Sequence, residues 1–328
     1  VSLTDEPLAE RVARFARGHA VRATTPMVGD ASNRAYFRVE LESGETRVLA
    51  LLPEAFTQRE LPFLNVAELL RAMPIRVPEV MEVSGSEGIL LLEDLGDHLL
   101  QDAAEESSET GKREIYQKAI EMLATLQLRG KELENERYLP FRIAFDEAKF
   151  FQELEFFREH FVEGLREALL PSAELEELAC SFRAIARELT TKPEALCHRD
   201  FHARNLMVLS GELVLVDFQD ARRGPIAYDL VSLLNDSYVV HEPDFVGEMT
   251  ALFEDSVGAT VFEDYDLAAL QRNLKALGTF GYQISRRGND VYQRYLEHTV
   301  TMVRKNFERN PRWDALRRIL ARHEKGLG

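Results

Sequence analysis

Between Ala23 and Leu52 the chain has the period of a β-sheet. Tyr36-Phe37-Arg38-Val39-Glu40-Leu41 and Thr46-Arg47-Val48-Leu49-Ala50-Leu51-Leu52 flank the polar Glu42-Ser43-Gly44-Glu45, which predicts a hairpin. Before it, Thr4 or Asp5 can cap a first helix with Pro7 in its opening turn and Leu8, Val12 and Phe15 on one face. After it come a helix over about 59–73, a strand near Met81, and the apolar run Gly88-Ile89-Leu90-Leu91-Leu92-Glu93-Asp94-Leu95-Gly96, which ends in a glycine turn. Beyond Gly96 the period lengthens to that of helices. These are expected over about 112–130, 146–169, 173–190, 226–240, 243–255, 265–286, 290–307 and 312–325. The polar segment from Ala103 to Gly111 reads as a loop or connection. The pattern predicts an α+β chain with a small antiparallel sheet followed by a mostly helical region.

Three short apolar runs interrupt the helical half: Ala195-Leu196-Cys197, Leu206-Met207-Val208-Leu209 and Leu213-Val214-Leu215-Val216. The last two flank Ser210-Gly211-Glu212 and read as strands around a tight turn. Between the first two lies the polar loop His198-Arg199-Asp200-Phe201-His202-Ala203-Arg204-Asn205, and after the third comes Asp217. Asp200 can accept a proton or a hydrogen bond from an attacking hydroxyl. The amide oxygen of Asn205 and the carboxylate of Asp217 are hard donors suited to magnesium. Phosphoryl transfer asks for positioning and charge neutralisation more than covalent chemistry, so one base and two metal ligands meet its needs. Each residue alone would pass for a turn former; the three at these spacings point to a kinase-type catalytic loop. A zinc reading of His198, Asp200 and His202 is weaker, because no further His or Cys ligand pattern accompanies them. His198 is expected to bond the loop backbone and His202 to line the site.

Composition narrows the class. The 328 residues suit two lobes, and a 45% hydrophobic content is ample for a core in each. Asp plus Glu number 56 against 40 Lys plus Arg, a net charge of -16 that disfavours nucleic acid and anionic membranes as partners. No apolar segment is long enough to span a bilayer, and Ser2-Leu3-Thr4-Asp5-Glu6 lacks a signal-peptide pattern, so a cytoplasmic protein is expected. Cys180 and Cys197 follow no disulfide or zinc spacing and are expected to be buried and reduced. The oligomeric state is not legible.

The order His198, Asp200, His202, Asn205, Asp217, Gly224-Pro225, Asp229-Leu230 resembles the aminoglycoside phosphotransferase and choline kinase-like superfamily. More narrowly, Gly29-Asp30-Ala31-Ser32, Asp217-Phe218-Gln219-Asp220-Ala221 and Tyr228-Asp229-Leu230-Val231-Ser232-Leu233-Leu234 resemble the bacterial anomeric kinases of N-acetylmuramate and N-acetylglucosamine. The resemblance implies a two-lobed protein-kinase-like fold. Residues 1–96 would form a nucleotide-binding lobe ending at a hinge, and 97–328 a helical lobe with the catalytic loop and acceptor site. It further implies ATP and Mg2+ as cofactors and an amino-sugar hydroxyl as acceptor, in cell-wall recycling. An aminoglycoside or choline phosphotransferase is the alternative of the same fold, and an inactive pseudokinase serving as a binding module the alternative of another class.

In such a fold the main chain of Glu93 and Leu95 would meet the adenine, and Ser32 with its neighbours would cover the phosphates through backbone amides. Protein kinases also use a small-lobe Lys paired with a helix Glu. No Lys occurs here before Lys112, which leaves Arg34 or Arg38 as its substitute or as plain surface arginines. On the acceptor side, Arg204 and Asp220 are candidates for sugar hydroxyls, and Arg222 or Arg223 for a carboxylate such as a lactyl group. Asp229, at a helix start, is expected to brace the catalytic loop.

Overall fold

The computed structural model describes residues 3, 7–27 and 34–328. It divides into two compact units, Val1–His98 with Met207–Gln219, and Leu99–Leu206 with Asp220–Gly328. The first unit begins with α1 (Leu8–Gly18), followed by β1 (Val21–Met27), β2 (Ala35–Leu41), β3 (Thr46–Leu51), α2 (Pro62–Ala72), β4 (Val80–Ser84) and β5 (Ile89–Glu93). The strands make one antiparallel sheet in the order β1-β2-β3-β5-β4. Because side chains alternate across a strand, Leu49, Leu51, Ile89 and Leu91 share a face, on which they cluster with Val39 and with Val12 and Phe15 of α1. Burying each such side chain contributes about 1.5–3 kcal/mol.

The apolar stripe of α1 is narrower than expected, since Leu8 is exposed while Arg11 is buried. The Arg11 guanidinium donates to the carbonyls of Leu52 (2.9 Å) and Glu87 (2.7 Å), so its charge is buried with partners. The expected caps Thr4 and Asp5 lie outside the described residues, and Pro7 immediately precedes the helix.

The second unit contains α3 (Leu100–Glu106), α4 (Glu109–Glu132), α5 (Glu147–Phe157), α6 (Ser172–Leu189) and β6 (Glu194–Cys197). The polar run 103–111, read as a loop, instead carries the end of α3 and the start of α4. Ser108 separates the two by capping α4, its hydroxyl accepting from Gly111 N at 3.2 Å. The helix expected over 146–169 is α5 continued by a π-helical segment, Arg158–Leu165.

The hairpin β7 (Leu206–Leu209) and β8 (Glu212–Leu215) turns at Ser210 and Gly211, both with positive φ (53° and 79°), the pair that matches strand twist. From Met207 onward it groups with the first unit, where Val208 N donates to His98 O and Leu215 N to Arg76 O. Sequence position alone places it in the helical half.

The chain then returns through β9 (Arg222–Pro225), antiparallel to β6, and ends in α7 (Tyr228–Leu234), α8 (Pro243–Val257), α9 (Phe262–Arg287), α10 (Gln293–Arg309) and α11 (Asp314–His323). The helical core gathers Phe150, Leu154 and Phe157 of α5, Phe182 and Ile185 of α6, and Leu270, Leu274 and Leu277 of α9. Gly278 and Gly281 let α9 approach very closely. A Cβ at 278 would sit 2.7 Å from the Phe157 Cα, and one at 281 would overlap the His160 carbonyl. Cys197 is buried as expected, whereas Cys180 is exposed on α6. Among the described residues no helix is long and apolar enough to cross a membrane.

Candidate functional site

The loop that follows β6 is held by two buried carboxylates from the α7 region. Asp229, in the first turn of α7, accepts from His198 N (2.5 Å) and Arg199 N (3.0 Å). Asp236, just beyond α7, accepts from Ala203 N (2.9 Å) and Tyr238 N (2.9 Å). That second clamp also explains why α7 stops at Leu234 instead of running to 240: the chain turns there so that the Asp236 carboxylate reaches the loop. Burial pushes both carboxyls up, Asp236 to about 7, against the pull of the backbone N–H groups they accept from. The expected bracing role of Asp229 is the geometry observed.

Inside the clamp the loop is strained and internally bonded. Arg199 has φ +86°, in the left-handed region a non-glycine residue enters at a cost of about 1–3 kcal/mol. His198 Nδ1 accepts from Asp200 N at 3.3 Å, as expected of a residue that bonds the loop backbone. The Asp200 carbonyl accepts from His202 N (3.0 Å) and from Asn205 Nδ2 (2.8 Å). Because a carbonyl can only accept, this bond fixes the Asn205 amide with its oxygen as the atom turned to other partners.

The Asp200 side chain, 27% exposed, sits among cations. Lys275 Nζ lies 2.8 Å from Oδ1, Arg272 3.6 Å from the same oxygen, and Arg199 Nε 3.9 Å from Oδ2. Burial alone would raise its pKa, but Lys275, Arg272 and Arg199 outweigh burial and hold the carboxyl well below the usual range. Asp200 is therefore an ionised acceptor of hydrogen bonds. Glu153 of α5 sits behind it, accepting from Arg199 (3.2 Å) and Gln271 (3.0 Å) and itself held low by Lys275 and Arg199 against burial.

The remaining sequence candidates fall in varied settings. His202 has its imidazole pushed by burial to about 3, so it is neutral, and it packs edge-on to Tyr238 at 5.2 Å. Arg204 lies over the Tyr238 and Tyr292 rings at 4.9 and 5.9 Å. Asp220, more than half exposed, faces Arg199 at 3.4 Å. Arg223 and Arg222 sit on β9. Arg223 pairs across the sheet with Leu196 and turns toward Glu194 (3.9 Å), while its neighbour Arg222, opposite Cys197, lies over Phe145. Adjacent strand residues point to opposite faces, so the two arginines cannot serve one ligand together.

In the first unit, Asp217 also has positive φ (61°), and its Oδ1 accepts from Gln219 Nε2 at 2.8 Å. Phe218 is buried against Phe63 of α2, which anchors the segment. Arg199 and Asp217 are two of the six non-glycine residues with positive φ among the described residues.

Arg38 has another occupation than phosphate binding. Its guanidinium bonds both Asp94 oxygens (2.8 and 3.1 Å), both Asp97 oxygens (2.8 and 3.0 Å) and Gly96 O (3.2 Å), which ties β2 to the segment after β5. Nε, Nη1 and Nη2 are each already engaged by these groups, Nη2 by three of them. Glu93 donates its N–H to Glu79 O, its carboxylate accepts from Arg76 and Glu79 N, and Leu95 is buried. Arg34 is half-buried just before β2, and Ser32 lies outside the described residues.

Lys275, Arg272 and Glu153 escaped the sequence reading. They occupy helical positions where charges at three- and four-residue spacing look like a solvated face, and only the packing of α9 on α5 turns them inward.

The family model described as "Phosphotransferase enzyme family" matches residues 23–255. The N-acetylmuramate/N-acetylglucosamine kinase of Neisseria meningitidis is 30% identical over 91% of this chain and 91% of its own length. A protein of the same name from Pseudomonas aeruginosa is 29% identical over 84% of this chain and 83% of its own. Among solved structures, choline kinase LicA from Streptococcus pneumoniae superposes with a TM-score of 0.62 at 14% identity, covering 90% of this chain and 98% of that one, which shows a shared kinase-like fold. With its loop geometry and this match over most of its length, the chain belongs to the phosphotransferase enzyme family.

Proposed function

We propose that this chain transfers the γ-phosphoryl group of ATP to the anomeric hydroxyl of N-acetylmuramate or N-acetylglucosamine. The observation that carries the chemistry is Asp200, an ionised, partly exposed carboxylate on a loop braced by Asp229 and Asp236. The relatives named for these two sugars support the acceptor.

A carboxylate held this low is a weak ground-state base. Asp200 therefore orients the acceptor hydroxyl and takes its proton late, as the new P–O bond forms and the bond to the departing ADP breaks. The oxygen donors of Asn205 and Asp217 fit Mg2+, which would neutralise charge on the phosphate oxygens when bound. Ser32 and Arg34 are proposed to serve the phosphates, the main chain of Glu93 and Leu95 the adenine, and His202, Arg204 and Asp220 the acceptor. A nucleotide lobe that ends near residue 96 and takes in 207–219, an acceptor lobe made by the rest, a cytoplasmic location and a role in cell-wall recycling belong to the same reading.

The test is to incubate the purified chain with ATP, Mg2+ and a panel of N-acetylmuramate, N-acetylglucosamine, an aminoglycoside and choline, and to identify the product by 31P and 13C NMR. Phosphate on C1 of the N-acetylated sugars is expected. Phosphate on another position, or only on the cationic acceptors, would overturn the substrate assignment.

A further inference from the structure

Lys275 has no counterpart in the motif that carries the sequence reading. Its side chain is 14% exposed, and within the described residues its ammonium meets two carboxylates, Asp200 (2.8 Å) and Glu153 (4.0 Å). An ammonium taken out of water costs several kcal/mol unless its surroundings repay it. Bracing the loop does not call for it. Asp229 and Asp236 do that through backbone N–H groups, and Arg272 adds a bond to Arg199 O at 2.6 Å while lying over the Tyr228 ring. Lys275 fixes a side chain instead, and the side chain it fixes is that of Asp200.

The charges around Asp200 bear on which acceptors can approach it. Lys275 and Arg272 come from α9 and Arg199 from the loop, opposed by Asp200 itself and Glu153 of α5. His202 is neutral, and Asp220 stands farther out, partly exposed against Arg199. Ion pairs extend this cluster to Asp220 (3.4 Å from Arg199), Arg222 (3.8 Å from Asp220) and Lys149 (3.9 Å from Glu153), five cations to three anions, with the buried Asp229 carboxylate behind them on the loop backbone; the three cations within 4 Å of Asp200 itself are Lys275, Arg272 and Arg199. An ammonium on the acceptor, brought beside Asp200, would meet Lys275 and Arg272 at close range in a poorly solvated place. A neutral acetamide, or an anionic substituent, would not.

We propose that Lys275 is a positioning and specificity residue: it holds Oδ1 of Asp200 so that Oδ2 faces the acceptor hydroxyl, and with Arg272 it excludes acceptors that carry an ammonium next to the reacting carbon. This rests on the C1 reading above, for in N-acetylglucosamine the carbon next to C1 bears an acetamide, and in glucosamine it bears an amine that is protonated in mild acid.

The full chain and its Lys275→Met, Lys275→Gln and Lys275→Arg variants are assayed with ATP and Mg2+ on both sugars at mildly acid pH, and folding is followed through the fluorescence of Trp313. Met and Gln are expected to lower kcat on N-acetylglucosamine by roughly 100-fold with KM within about threefold, the signature of a contact that matters in the transition state. Arg should restore kcat to within about tenfold of wild type. The preference for N-acetylglucosamine over glucosamine in kcat/KM should shrink at least about tenfold in Met and Gln and persist in Arg. Unchanged kcat in Met or Gln, or an equal loss on both sugars that Arg fails to rescue, overturns the proposal. If Met does not fold, Gln and Arg are judged by the same criteria. Should wild type phosphorylate neither sugar at C1, the substrate reading fails by itself. The kcat loss and its rescue by Arg are then read on whichever acceptor of the panel wild type does use, and their absence there still overturns the positioning role.

Discussion

Replacing Asp229 by Asn should loosen the catalytic loop without touching the reacting groups. The native carboxylate accepts two backbone N–H groups, from His198 and Arg199, in a fully buried setting. Hydrogen bonds to a charged acceptor are worth about 1.5–3 kcal/mol each. Asn keeps one accepting oxygen but turns an NH2 group toward the second N–H, so one bond is lost and one buried donor is stranded. Removing a charge that burial already disfavours gives part of this back. The balance is a loss of about 2 kcal/mol for Asn and about 3–5 kcal/mol for Ala, which strands both donors.

The freed N–H belongs to the strained part of the loop. With φ +86°, Arg199 relaxes once its restraint is gone, and its contacts to Asp200 and Asp220 move with it. A kcat loss of about 100-fold is expected, with the nucleotide KM within about twofold. Urea unfolding followed by Trp313, the single tryptophan, reads stability in the right place, because Trp313 shares a core cluster with Tyr228, the neighbour of Asp229. Asn and Ala variants with midpoints equivalent to less than about 0.5 kcal/mol of change and kcat within twofold would refute the bracing argument.

Three further outcomes follow from the same geometry. Arg38→Ala should destabilise the chain by about 2 kcal/mol, since it leaves the buried Asp94 carboxylate without its cation and with only Gly96 N and the Thr46 side chain as donors, while the nucleotide KM stays within about twofold; a large KM rise at unchanged stability would return Arg38 to the phosphates. Glu153→Gln should cost about 3 kcal/mol at neutral pH. The Glu153 carboxyl is lower in the folded chain than its ordinary 4.5, so its contribution is present above that pH and fades as pH falls through the folded value. The gap between wild type and variant should close on acidification, and a gap that widens would contradict the assignment. Gly281→Ala should lower the unfolding midpoint by an equivalent of about 1–3 kcal/mol and reduce kcat, because the added methyl pushes α9, and Lys275 with it, away from the π-helical segment; a neutral variant would show that the approach is not tight.

The parts legible in the sequence are those with a local cause. The loop carrying Asp200 is polar between two apolar runs, the Ser210-Gly211 turn declares itself by residue type, and α4, α6, α8 and α9 follow their period closely. What stayed hidden depends on partners distant in the chain. Arg38 finds Asp94 and Asp97 more than fifty residues away, and α7 ends early because Asp236 is called back to Ala203 N. The start of α3 is masked by a composition in which small and polar residues, Gln101, Ala103 and Ala104, supply much of the buried face. Lys275 and Glu153 look like ordinary helix-surface charges until Gly278 and Gly281 bring their helices together.

The most direct measurement is steady-state turnover of Asp200→Asn on N-acetylmuramate with saturating ATP and Mg2+. A positioned proton acceptor contributes roughly 100- to 10,000-fold, so kcat should fall by at least 100-fold while the nucleotide KM barely moves. Turnover within about threefold of wild type would contradict the claim that this carboxylate prepares the acceptor for phosphoryl transfer.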